Sequence, residues 1–131
     1  MNDSFGTVIK KVDKIHLDSV LKTGACNILS SSALVALMEQ AANKALDITC
    51  FISEHTSVSR SMQLNHIRPS PLGATIKADA HIVDIDHQGI HFDIEAYDDV
   101  GLIGTAKHTR VLVNPDEYEA KCFKISRKAK I

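Results

Sequence analysis

Two ionisable residues stand where a soluble chain normally keeps apolar ones. In "SSALVALMEQAANKALD" (31–47) every residue from Ala33 to Met38 is apolar, and Glu39 follows directly. In "TSVSRSMQLNHIR" (56–68), counting alternate residues puts Val58, Met62, Leu64 and His66 on one face. Ser57, Ser59, Ser61, Gln63 and Asn65 fall on the other face, and Arg60 is a misfit. A carboxylate shielded from water beside an imidazole is a tunable base or nucleophile. Ser31 adds a hydroxyl at a helix start, where unpaired N–H groups and the positive dipole end suit a developing oxyanion. A serine there is ordinarily a cap. Ser31 and Glu39 would also lie ~12 Å apart on one regular helix, so a bend or a substrate must bridge them. The same pattern fits a satisfied buried polar pair, or a contact between two copies of the chain.

These residues need elements to hold them. Residues 31–47 read as the main helix, with Ser30, Ser31 and Ser32 offering a cap and an Ala/Leu/Met-rich run favouring helix. Its second half has a polar arc and should surface. Its first half has none, which predicts burial on all sides. The remainder alternates with period two. "ATIKADAHIVDID" and "GIHFDIEAY" each place apolar residues on one face, with a phase slip at Ile82–Val83 that predicts a bulge. "LIGTAKHTRVLV" is a less regular strand, and "RPSPLG" (68–73) ends the strand before it. "NPDEYEAKCF" predicts a short terminal helix with Asn114 as cap and Pro115 first. The order is strand, helix, then four antiparallel strands, an α+β chain whose single long helix must cover the sheet's apolar face. A sheet curled around one long central helix is the hotdog arrangement. One copy is small and open-edged, so pairing of two copies is expected.

Composition narrows the function. A chain of 131 residues fits one domain, residues 1–131. A net charge of -1 argues against a protein that works by neutralising nucleic-acid phosphates. Cys26, Cys50 and Cys122 form no CxxC pair, which predicts idle or buried thiols in a reducing cytoplasm. No apolar run approaches the ~20 residues of a membrane span. His81, His87 and His91 fall on solvent faces or in a turn, and no ligand spacing points to a metal. The basic tail "KCFKISRKAKI" reads as a solvated, partly disordered terminus, with contact to coenzyme A phosphates as the alternative. No phosphate-binding loop, dinucleotide fingerprint or cofactor motif is present.

"GACNILSSSALVALMEQAANKAL", "LNHIRPSPLG" and "GTAKHTRVLVN" together resemble the fluoroacetyl-CoA thioesterase family of hotdog proteins, over roughly residues 8–123. The resemblance implies thioester hydrolysis without a cofactor, on a small acyl-CoA, by a homodimer or a tetramer built from it. It carries the family's active-site threonine (or serine) onto Ser31, its glutamate onto Glu39, its histidine onto His66 and its last-strand arginine onto Arg110. Ser32 and Ser59 stand where the fluoroacetyl enzyme has glycines, and "SVLKTGACN" lacks that enzyme's phenylalanine lid, so a fluorinated substrate is not expected. The resemblance leaves a rival of another class, a non-catalytic acyl-CoA-binding module. A hydratase reading lacks its D-x-N-P-x-H pattern.

Overall fold

The computed structural model describes residues 5–49 and 55–129; Cys50 and the end of the basic tail lie outside them. The chain runs β1 (Phe5–Lys11), a 3-10 turn (Lys14–His16), α1 (Asp18–Leu21), α2 (Ser31–Thr49), β2 (Thr56–His66), β3 (Thr75–Asp86), β4 (Gly89–Tyr97), β5 (Leu102–Val113) and α3 (Pro115–Ala129). The five strands form one antiparallel sheet in the order β1-β3-β4-β5-β2. Alternate residues supply the inner face, among them Ile76, Ala78 and Ala80 of β3 and Ile90, Phe92, Ile94 and Ala96 of β4. Leu34, Leu37, Met38, Ala41, Ala42 and Ala45 of α2 close the core over them. The many alanines let helix and sheet approach closely. At Gly6 a β-carbon would come within 2.4 Å of the Ala45 backbone nitrogen. This is the hotdog fold that the strand and helix order predicts.

Three details differ from the sequence reading. The first half of α2 is not covered on all sides: Val35 is half-buried and Ala36 exposed, because the helix lies on one face of the sheet. The β2–β5 register shifts between Ser59 and Ser61, so Arg60 is the residue of a bulge. Beyond it Met62, Leu64 and His66 face inward as counted, but Ser57 and Ser59 pair with Leu112 and Arg110 on that same inner face. Their assignment to the outer face is therefore reversed, since one inserted residue inverts every side chain past it. The tail does not fray after residue 123; α3 continues to Ala129, capped by Asn114, whose side chain accepts from the Glu117 N–H. The slip at Ile82–Val83 is a bulge as expected. Cys26 and Cys122 are exposed free thiols. Among the described residues no helix is long and apolar enough to cross a membrane.

The turn after β2 is fastened by a buried carboxylate. Asp98 accepts from Arg68 Nη2 at 2.6 Å, Ser70 Oγ at 2.9 Å, and the N–H groups of Val100 and Gly101. Burial alone would raise the Asp98 pKa, but Arg68 and the other donors outweigh it and hold the group at about 2. The folded state thus binds this proton less readily than the unfolded chain. The resulting stability, roughly 2 kcal/mol at most, is present above the ordinary value of 3.8 and is lost as pH falls through about 2. Urea melts of wild type and Asp98→Asn between pH 5 and 2 should converge as pH falls. A constant gap between the two curves would contradict this role.

Candidate active site

The start of α2 and the end of β2 meet through backbone links. Leu29 N–H donates to the Ser70 carbonyl at 2.9 Å, and Ser30 N–H to the His16 carbonyl at 2.8 Å, which moors the helix start beside the turn that follows His66. The cap is Ser30, fully buried, whose Oγ accepts from the Ala33 N–H at 3.0 Å. Ser31 is thereby released from capping. Its Oγ lies 2.8 Å from Nδ1 of His66. The N–H groups of Ser31 and Ser32 have no partner among the described residues, and both side chains are exposed. His66 Nε2 is buried and has no hydrogen-bond partner among the described residues. Burial lowers the His66 pKa, with the Asp18 carboxylate pulling it partly back. A neutral imidazole on a hydroxyl, beside unpaired N–H groups at a positive helix end, can take a proton and stabilise an oxyanion.

Glu39 belongs to a different group. It is half-buried, and its charge acts on Arg110 and His108 but not on His66. Arg110 is 5% exposed, a buried cation. It donates from Nε to Ser57 Oγ at 2.8 Å, from Nη2 to the Ser57 carbonyl at 3.0 Å, and from Nη1 to His108 Nε2 at 3.1 Å. Ser57 Oγ in turn donates to Asn43 Oδ1, which ties this cluster to the helix one turn beyond Glu39. Burial lowers the Arg110 pKa and the Glu39 carboxylate raises it again; the guanidinium stays charged throughout.

The six residues singled out by sequence therefore fall into two groups within one chain. Ser31, Ser32 and His66 gather at the N-terminus of α2. Ser59 and Arg110 lie opposite each other in the β2–β5 ladder, and Glu39, nearer the middle of α2, acts on Arg110 through its charge. Among the described residues no hydrogen bond or ion pair joins Glu39 to His66, whose expected convergence is on one cleft, from one subunit or across a dimer. Sequence reading missed His108, Ser57 and Asn43. The signal for His108 was present, since Ala106, His108 and Arg110 alternate on one face of β5. Ser57 was hidden by the bulge, and Asn43 by its place on the polar arc of α2.

The model of the family "FlK: Fluoroacetyl-CoA-specific thioesterase" matches residues 10–116. A thioesterase-superfamily member of Thermus thermophilus, itself a hypothetical protein, has a similar structure with a TM-score of 0.85 at 16% identity, over 96% of this chain and 93% of that one. The FlK enzyme is similar with a TM-score of 0.84 at 19% identity, over 92% of this chain and 93% of that one. Its threonine-to-serine variant with acetyl-CoA bound is similar with a TM-score of 0.82 at 20% identity, over 92% and 94%. Among curated proteins none matches this sequence. The structural likenesses speak for the hotdog fold; the family match, over most of the chain, adds the reaction class. The chain belongs to the fluoroacetyl-CoA-specific thioesterase family, whose members are thioester hydrolases.

Proposed function

We propose that this protein hydrolyses a small acyl-CoA to the free acid and CoA in the cytoplasm, as a homodimer. The observation that carries this reading is the Ser31 Oγ–His66 Nδ1 hydrogen bond at the start of α2, beside the unpaired Ser31 and Ser32 N–H groups. The thioester carbonyl would sit against those N–H groups. Glu39 would attack the carbonyl carbon or draw a proton from the attacking water. If Glu39 activates water, the C–S bond breaks to give the free acid, and the proton taken from water passes to the CoA thiolate with His66 and Ser31 as the relay. If Glu39 attacks, C–S cleavage leaves an acyl-Glu39 anhydride that water then opens, freeing the acid and Glu39 and supplying the thiolate's proton. Ser59 and Arg110 would flank the acyl group.

Ser31 and Glu39 are ~12 Å apart along α2, so bringing them onto one thioester calls for a substrate that spans them or for a second copy. A two-fold partner would set the helix start of one copy against Glu39 of the other, giving two equal sites. The unpaired outer edge of β2 and the uncovered Val35 and Ala36 support such pairing. The acetyl-CoA complex of the serine variant of FlK supports both the acyl-CoA partner and a serine in the threonine position. The test is release of CoA thiol from short, branched, aromatic and long acyl-CoAs, with light scattering at micromolar protein. Turnover of a short acyl-CoA by a dimer is expected. Binding of acyl-CoA without any release would make the protein a non-catalytic module, and a monomer would remove the shared site.

A further inference from the structure

His108 is the buried group for which hydrolysis as described has no use. It is 1% exposed, its ring tilted against Phe92 with centroids 5.8 Å apart. An apolar ring would fill that space without the cost of burying two polar nitrogens. Both nitrogens, however, are engaged. Nδ1 lies 2.8 Å from the Ser61 carbonyl, and Nε2 lies 3.1 Å from Nη1 of Arg110. A carbonyl only accepts, so Nδ1 must carry the proton; a guanidinium only donates, so Nε2 must present its lone pair. The tautomer is fixed from both sides. The carbonyl that fixes it belongs to Ser61, the residue where the β2–β5 register resumes after the Arg60 bulge. An irregularity in one strand thus sets the proton on a ring in the next.

Three of the five guanidinium N–H groups of Arg110 are then committed, two to Ser57 and one to His108, leaving one on each terminal nitrogen. Anchored on both sides, the guanidinium is held in one orientation. Building on the thioesterase reading above, we propose that His108 is a positioning residue: as the neutral Nδ1–H tautomer it holds the Arg110 guanidinium in one orientation, and it acts on the reaction only through that arginine. Too buried to reach a bound thioester, it has no other route to the chemistry. Burial, together with the neighbouring Arg110 cation, lowers the His108 pKa against the opposing Ser61 carbonyl and Glu39, in keeping with a neutral ring.

The test compares wild type with His108→Phe, His108→Gln, Arg110→Gln and the double variant His108→Phe/Arg110→Gln, on an acyl-CoA that wild type hydrolyses. His108→Phe should lower kcat about tenfold, the effect of losing roughly one well-placed hydrogen bond, with KM changed less than ~3-fold. His108→Gln, whose amide oxygen can accept from Arg110, should recover most of that loss. In the Arg110→Gln background the further change to Phe should cost less than ~2-fold, because the group it serves is gone. An undiminished kcat in His108→Phe overturns the proposal. So does the same tenfold loss in the Arg110→Gln background, which would mean independent action. If His108→Phe does not fold, or if wild type hydrolyses no thioester, the 15N ring signals of wild-type His108 still decide: the Nδ1–H pattern supports the role, and an Nε2–H or doubly protonated ring near pH 7 refutes it. That second readout separates failure of the positioning role from failure of the thioesterase reading.

Discussion

Glu39→Gln is expected to lower CoA release at least ~100-fold, the lower end of what removing a general base costs. The amide keeps the volume and hydrogen-bonding reach of the carboxylate but is neither a base nor a useful nucleophile. Acyl-CoA binding should persist. Viewed on the helix alone, the change should hold or raise stability, since it removes a charge from an apolar stretch. The Glu39 charge favours the Arg110 cation, but no ion pair or hydrogen bond joins the two among the described residues, so that expectation stands. Thermal melting beside CoA-release rates measures both. Full activity in a folded Glu39→Gln dimer would overturn the catalytic assignment.

His66→Asn is expected to cost ~100- to 1000-fold in kcat with KM little changed. Asparagine can still reach Ser31, whereas it cannot take a proton. The pH profile sharpens the test. Burial holds the His66 pKa below its ordinary 6.5, with Asp18 as the smaller opposing influence. Wild-type kcat/KM should therefore stay level as pH falls past 6.5 and decline only below it, and the asparagine variant should lack that limb. The sign for stability is the same: the folded state resists this proton, so His66 withdraws stability as pH drops below 6.5. A variant with wild-type rates, or an unchanged acid limb, would show that His66 carries no proton in the reaction.

Much of the architecture was legible because it rests on periodicity. Alternation in β3 and β4 and the Ala/Leu/Met run of α2 define faces that only one arrangement can bury together, so the hotdog fold and the inward facing of His66 follow. The slip at Ile82–Val83 was legible for the same reason, as a break in an otherwise regular pattern. Arg60 was an equally visible break, yet the position of an inserted residue becomes certain only when the partner strand fixes the register. Ser57 and Ser59 were placed on the wrong face for that reason.

The sequence by itself determined the fold class, the family and the residue types that could hydrolyse a thioester: Ser31, Glu39, His66 and Arg110. Tertiary structure alone decided how they are grouped. Ser31 was free to meet His66 only because Ser30 took the cap, and the two came together only because the strand pairing and the Leu29–Ser70 link bring residues 35 positions apart into contact. Arg110 was gathered into a buried cluster with Ser57 and His108, an association that no local pattern encodes. Side-chain direction follows from short-range repeats within one element, whereas hydrogen-bonded partners depend on how separate elements pack, and that is set by the whole chain at once.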